Sequence, residues 1–148
     1  MSNPITVVRE KLWDLLEAST DLAAFMGTGS KYKLDTIRRL PARVTEAECP
    51  ALAVAPATVF NNWSAARLQD ISIACHVTGV VADTDVARIE EFYWLVYEAL
   101  MAGYPDLGLP DVAGVSGRNL RFTETHGSTR RWTFEFDLIV VVRRDPVG

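Results

Sequence analysis

The stretch "RRWTFEFDLIVVVRRD", Arg130 to Asp145, decides the fold. Its first half alternates: Trp132, Phe134 and Phe136 share one face of a strand, and Thr133, Glu135 and Asp137 the other. From Leu138 to Val142 the alternation stops and every residue is apolar. An alternating strand needs protein over one face, whereas a strand end that is apolar on both faces needs it over two. In a chain of 148 residues the second layer has to come from another part of the chain or from a neighbouring copy.

Working outward, a hairpin tip at "THGST" precedes this strand, and a partner strand at about Arg118–Glu124 precedes the tip. Further back, "QDISIACHVTGVV" (Gln69–Val81) alternates with Ile71, Ile73, Cys75 and Val77 on one face. "PALAVAPA" (Pro50–Ala57) is short and bracketed by prolines, as an edge or entering strand would be. Two amphipathic helices complete the pattern. The first opens with Asn3 as cap and Pro4 at the first helical position, and carries Ile5, Val8, Leu12, Leu15 and Leu16 on one stripe. A short helical turn, "DLAAFMG", follows with Asp21 as its expected cap. The second main helix runs from Val86 to about Met101, after "ADTD" as a cap region, and stops at Gly103. The expected fold is one α+β domain over 1–148: a largely antiparallel sheet of about four strands with two main helices on one face.

Two segments resist assignment. Residues 27–49 are polar and locally basic, which suits a functional loop, an arm, or a stretch hiding a short strand. "VFNNWSAAR", Val59 to Arg67, is longer than a tight turn requires.

Composition sets outer bounds. Apolar residues make up 49% and charged residues 23%, the balance of a globular protein. The net charge of −4 argues against general nucleic-acid binding, and no sequence-specific nucleic-acid partner is expected. Cys49 and Cys75 cannot build a disulfide framework and read as reduced thiols. Charges at Arg9, Glu10 and Lys11 break any signal-peptide run, and no window reaches the ~20 apolar residues of a membrane span. A protein without membrane association, made and used in a cytoplasm, is expected. Charge is uneven along the chain: residues 50–117 carry eight acidic residues against Arg67 and Arg88, and residues 118–144 six arginines against three acidic residues. That is either scatter on a solvated surface or a pair of opposed surfaces able to meet head to tail between copies.

Catalytic signatures are absent. His76 and His126 have no metal-like partner spacing, and Cys75 points to the face opposite His76. "GTGSK" at Gly27–Lys31 lacks the spacing of a phosphate loop and reads as a helix stop. No catalytic, cofactor-binding or metal residue is expected, and the protein is not expected to be an enzyme. The opposing reading is a small ligand-binding or enzymatic domain with its pocket between sheet and helices, for which His76 with Asp70, or Arg118 with Glu135, are the starting points.

The second helix, "DVARIEEFYWLVYEALMAG", says more. Ile89, Tyr93, Val96 and Leu100 define its core stripe, flanked by Val86, Phe92 and Ala99, but Trp94, Tyr97 and Met101 widen the apolar arc beyond one sheet contact. Leu95 sits in the remaining polar sector, between Arg88 and Glu91. Trp94 either covers the rim of its own core or anchors an interface, where Trp and Tyr are enriched. Together with "LIVVV" this marks Trp94, Leu95, Tyr97, Met101, Ile139 and Val141 as candidates for a subunit interface.

Most of the chain, as a pattern, resembles the tail terminator (tail completion) proteins of long-tailed bacteriophages. The resemblance rests on "ITVVREKLWDLLEASTDLAAFMG", then "CPALAVAPA", then "ISIACHVTGVVADTDVARIEEFYWLVYEAL", and on a closing hairpin of "GRNLRFTETHG" and "TRRWTFEFDLIVVV". It implies a homo-oligomeric ring, usually a hexamer, that caps the head-proximal end of the tail tube, stops its polymerisation and joins it to the head connector. A neck or head-completion protein is the near alternative. The implied partners are further copies of the chain, the tail tube protein and the head connector protein, and no cofactor is implied. The implied location is the host cytoplasm during assembly and then the virion tail. On this reading a neighbouring subunit covers the second face of "LIVVV"; a layer from residues 27–49 would serve as well. Lys31, Lys33, Arg38, Arg39 and Trp63 become candidates for contacting tube or connector.

Overall fold

The computed structural model describes residues 3–32, 44–62, 69–126 and 130–144. Helix α1 (Pro4–Ala18) begins as its sequence dictates, with the Asn3 side chain accepting the Ile5 N–H at 2.9 Å. Its buried face is Val8, Leu12, Trp13 and Leu16. Trp13 lies outside the sequence stripe; its indole N–H donates to the Glu17 carboxylate one turn on, which lets the ring lie against the core. Helix α2 (Thr20–Met26) follows at once. Ser19 ends α1 and caps α2, its hydroxyl accepting the Leu22 N–H, so Asp21 occupies the first turn and not the cap position expected for it.

Five strands, one more than expected, form one sheet in the order β1-β2-β3-β5-β4. They are β1 (Ser30–Tyr32), β2 (Ala51–Asn62), β3 (Gln69–Val81), β4 (Val112–Thr125) and β5 (Arg131–Arg144). The additional strand β1 pairs parallel with Ala51–Ala53 of β2, which makes the sheet mixed; every other pairing is antiparallel. The strand hidden in residues 27–49 is therefore this one. β2 runs on through "VFNN", the first four residues of the unassigned stretch Val59–Arg67, whose remainder lies outside the described residues, and β4 begins six residues before Arg118. β2 tolerates Pro56 because β1 has already ended there and because the register steps between Pro56 and Thr58, so the missing N–H interrupts no central ladder.

Helix α3 (Val86–Met101), capped by the Asp85 side chain on the Ala87 N–H at 3.0 Å, lies against β3 and β5, with α1 and α2 beside it. The core between these layers holds Ile73, Cys75 and Val77 of β3 and Phe134, Phe136, Leu138, Val140 and Val142 of β5. Burial pushes the Cys75 thiol up to about 11, which keeps it protonated and inert.

The second face of the sheet is treated differently along its length. At one end Val44 closes over Ala51 and Val80, with Cys49 packed alongside, so the chain's own segment supplies a third layer there. The alternate residues of "LIVVV" do not share in it. Leu138, Val140 and Val142 face the helices, while Ile139 and Val141 lie on the second face opposite Ala74 and Ser72, in neither apolar cluster of the described residues.

Candidate protein–protein interface

Helix α3 is wider in its apolar arc than a sheet contact needs because it also meets α1 and α2. Leu95, which sits in the polar sector of a helical wheel, is partly buried against the chain's own core on that side. Phe92, expected only to flank the core stripe, is fully buried, and Val86 is exposed. The opposite flank is open. Trp94 is 55% exposed and Tyr97 38%, and their rings stack at 5.1 Å.

This flank continues onto the sheet. Leu120 and Phe122 of β4 are on the helix side of the sheet yet 44% and 38% exposed, because α3 does not reach over the edge strand. Tyr93 bridges core and surface: its ring meets Phe122, Phe134 and Phe136 edge-on at 5.6–5.9 Å. Burial raises the Tyr93 phenol pKa, with Tyr97 adding to the shift, so the ring stays neutral. Between α3 and β4 lies a cleft of about 340 Å³, walled by Tyr97, Leu100, Met101, Gly117 and Leu120 and floored by Phe136 and Leu138. A Cβ placed at Gly117 would meet nothing within 4 Å, so the cleft is open to solvent. An apolar surface of this size, continuous over a helix and an edge strand, is what interfaces present before they are covered.

A β-bulge positions β4 for this. Arg118 pairs with Asp137 but Arg121 with Glu135, so one extra residue is inserted. Asn119 takes the left-handed conformation at φ 59° and its amide donates to the Asp137 carboxylate at 3.1 Å. Paired in strict alternation with no bulge, the same residues would place Arg121 toward the helices and Phe122 on the second face.

The second face carries the polar groups. His76 Nδ1 lies 2.9 Å from Asp137 and its Nε2 3.4 Å from Glu135, which also binds Arg121. Asp70 is engaged by Arg143 through two bonds of 2.8 and 3.2 Å. The pairings His76 with Asp70 and Arg118 with Glu135 are therefore not formed, although each pair shares the face: His76 meets Asp137, Asp70 meets Arg143 and Glu135 meets Arg121, and Arg118 has no ion-pair partner among the described residues. These groups lie on the second face of the sheet, and the residues lining the cleft include no carboxylate or histidine. Among the described residues no group of three His, Cys, Asp or Glu side chains could hold a metal ion.

Three of the six arginines in residues 118–144, Arg121, Arg130 and Arg143, are taken up by carboxylates of their own sheet. The positive balance of that segment is thus largely spent inside the chain. The hydrogen bond from His76, and then that from Asn119, hold the Asp137 carboxyl below its ordinary value of 3.8 against an opposing effect of burial. A lowered folded-state pKa adds stability above that ordinary value and loses it as pH falls through the folded one. The thermal midpoint is accordingly expected to fall more steeply below about pH 4 in the wild type than in Asp137→Asn. Parallel slopes in a pH series of melting curves would remove Asp137 from the acid response.

The six interface candidates thus fall in three places. Trp94, Tyr97 and Met101 come together at the cleft, Leu95 packs on the core side of α3, and Ile139 and Val141 lie on the second face of the sheet. Of the contact candidates, Lys31 is exposed on the edge strand β1, and Lys33, Arg38, Arg39 and Trp63 lie outside the described residues. Sequence reasoning missed Leu120 and Phe122; their alternation with Arg121 and Thr123 was visible, but not that no helix would cover them.

No protein-family model matches this chain, and no curated protein matches it in sequence. A solved structure does. A chain of the virion of a native gene transfer agent particle covers 95% of this chain, and 99% of its own length is matched, with a TM-score of 0.62 at 15% identity. The two share a fold from end to end. At that identity the likeness is one of fold alone.

Proposed function

We propose that the chain is a structural protein of a phage-like virion, and within it the subunit of a homo-oligomeric ring that caps the head-proximal end of a tail tube. In this role it stops tube polymerisation and offers a docking face to the head connector. The reading is carried by the fold shared over nearly both full lengths with a chain of a virion particle. The open ledge of Trp94, Tyr97, Leu120 and Phe122 supports it, as a surface made to be covered by protein. The protein binds and blocks; no reaction is assigned to it. It assembles in the host cytoplasm and stays in the virion tail.

The test is tube length. Tail tube protein polymerising in the presence of substoichiometric amounts of this chain is expected to give shorter tubes, with gold-labelled chain at one end only, by electron microscopy. Label along the tube wall, or unchanged lengths with label on the isolated head connector, would reject capping; the second pattern is that of a neck or head-completion protein.

A further inference from the structure

We propose that copies of this chain join head to tail, the Trp94–Tyr97 ledge of one seating on the second-face trough around Ile139 and Val141 of the next. The inference rests on the ring reading above and names the surfaces that close the ring.

The ledge is a raised strip with acidic ends. Glu90, Trp94 and Glu98 are four residues apart on one line of α3, all exposed, and neither glutamate has an ion-pair partner among the described residues. The trough has the opposite character. Ile139 and Val141 are half-buried and bordered by small residues, Ala74 and Ser72 of β3 and Ser116 and Gly114 of β4. A Cβ added at Gly114 would meet nothing within 4 Å, so the surface above Val141 is clear.

Its ends are basic. Arg118, opposite Asp137, has no ion-pair partner among the described residues. Arg143, opposite Asp70, uses two N–H groups on that carboxylate, and a guanidinium has five. Glu90 and Glu98 are about 12 Å apart along the helix, and the positions of Arg118 and Arg143 about 20 Å apart along the strands. The difference, about 4 Å at either end, is within reach of extended arginine and glutamate side chains.

The same charges oppose the simplest competitor. Two ledges meeting about a two-fold axis would bring Glu90 and Glu98 of one copy against those of the other, a like-charge contact. Ledge and trough lie on opposite sides of one subunit, one on the helix layer and the other on the second face of the sheet. Their union repeats from copy to copy, and the ring reading requires that the rotation between successive copies close. The second layer over "LIVVV" is then a neighbour's α3.

Complementation decides the matter. The ledge variant Trp94→Ala/Tyr97→Ala changes only exposed side chains, and Val141→Arg changes only the second face. By sedimentation, the wild type is expected to form closed rings and each variant to stay monomeric. An equimolar mixture is expected to give 1:1 dimers and nothing larger, because only one intact ledge and one intact trough remain. Should Val141→Arg fail to fold, Arg118→Glu, on an exposed side chain, replaces it. That variant is expected to weaken assembly ~10-fold or more, with recovery on adding either Glu90→Arg or Glu98→Arg, since one glutamate meets position 118 and the other still faces Arg143. A mixture that stays monomeric while the wild type forms rings would overturn the proposal and leave the ring reading intact. A wild type that never associates, or variants that still form rings, would overturn it too. Rings that complement as described but leave tube length unchanged would instead reject the capping role.

Discussion

Phe134→Ala is expected to lower the free energy of unfolding by about 3–5 kcal/mol, a large part of the ~5–15 kcal/mol that holds a domain of this size together. Phe134 is fully buried at the meeting point of the aromatic core: its ring lies edge-on to Phe92 at 5.2 Å and to Tyr93 at 5.7 Å, and stacks with Phe136 at 6.1 Å. Its place across the ladder is taken by Gly79, and a Cβ there would fall inside the edge of the Phe134 ring. Gly79 is thus the recess that lets the ring lie flat on its own sheet. Gly79→Ala alone is expected to cost about 1–3 kcal/mol by overpacking. In the Phe134→Ala background the same change should cost almost nothing, since the added methyl enters the vacated space. Denaturant midpoints for the four proteins of this cycle give the coupling directly. Additive costs would mean that the ring does not depend on the glycine.

The second expectation concerns the bulge that turns Phe122 toward the ledge. Asn119→Val is expected to cost about 2–3 kcal/mol. A β-branched residue pays ~1–2 kcal/mol in the left-handed region, and the bond to Asp137 contributes about 1. Asn119→Gly keeps the backbone conformation and loses only the bond, so its cost should be about 1 kcal/mol. Deleting Asn119 removes the bulge and sets Leu120 alone opposite Phe136, with Arg121 still opposite Glu135 and Phe122 still opposite Phe134. The 5.9 Å contact between the Tyr93 and Phe122 rings should then persist in nuclear Overhauser spectra, as should the contact of Tyr93 with Phe136. A deletion variant that lost the Phe122 contact would show that the bulge residue itself is needed to hold Phe122 against the helix layer.

Both expectations depend on pairings between distant parts of the chain, and there the legibility of the sequence changes. Helices α1 and α3 were readable to within a residue because their signals are local: Asn3 with Pro4, Asp85 at the cap, and apolar residues every three or four positions. Strands β3 and β5 were equally clear from alternation. β1 was not, since three residues, Ser30–Tyr32, carry no period; only their parallel pairing with Ala51–Ala53 makes them a strand. The early start of β4 at Val112 was masked by "AGVSG", whose glycines read as a loop. On the candidate site, Trp94, Tyr97 and Met101 were legible as too much apolar arc for one helix. Leu95 shows the limit of that argument, because a helical wheel cannot say that α1 and α2 occupy the other flank.

By itself the sequence determined what each segment is: the two main helices, the alternating strands, the inert cysteine of β3, and an apolar excess on α3 and on "LIVVV". Tertiary structure alone decided which excess stays uncovered and what each charge meets. His76 finds Asp137 instead of Asp70, and Phe122 rather than Arg121 faces the helix layer. The physical reason is register. One inserted residue reverses every following side chain of a strand, and a strand's partner lies tens of residues away, so faces and ion pairs are fixed by long-range packing that no local pattern encodes.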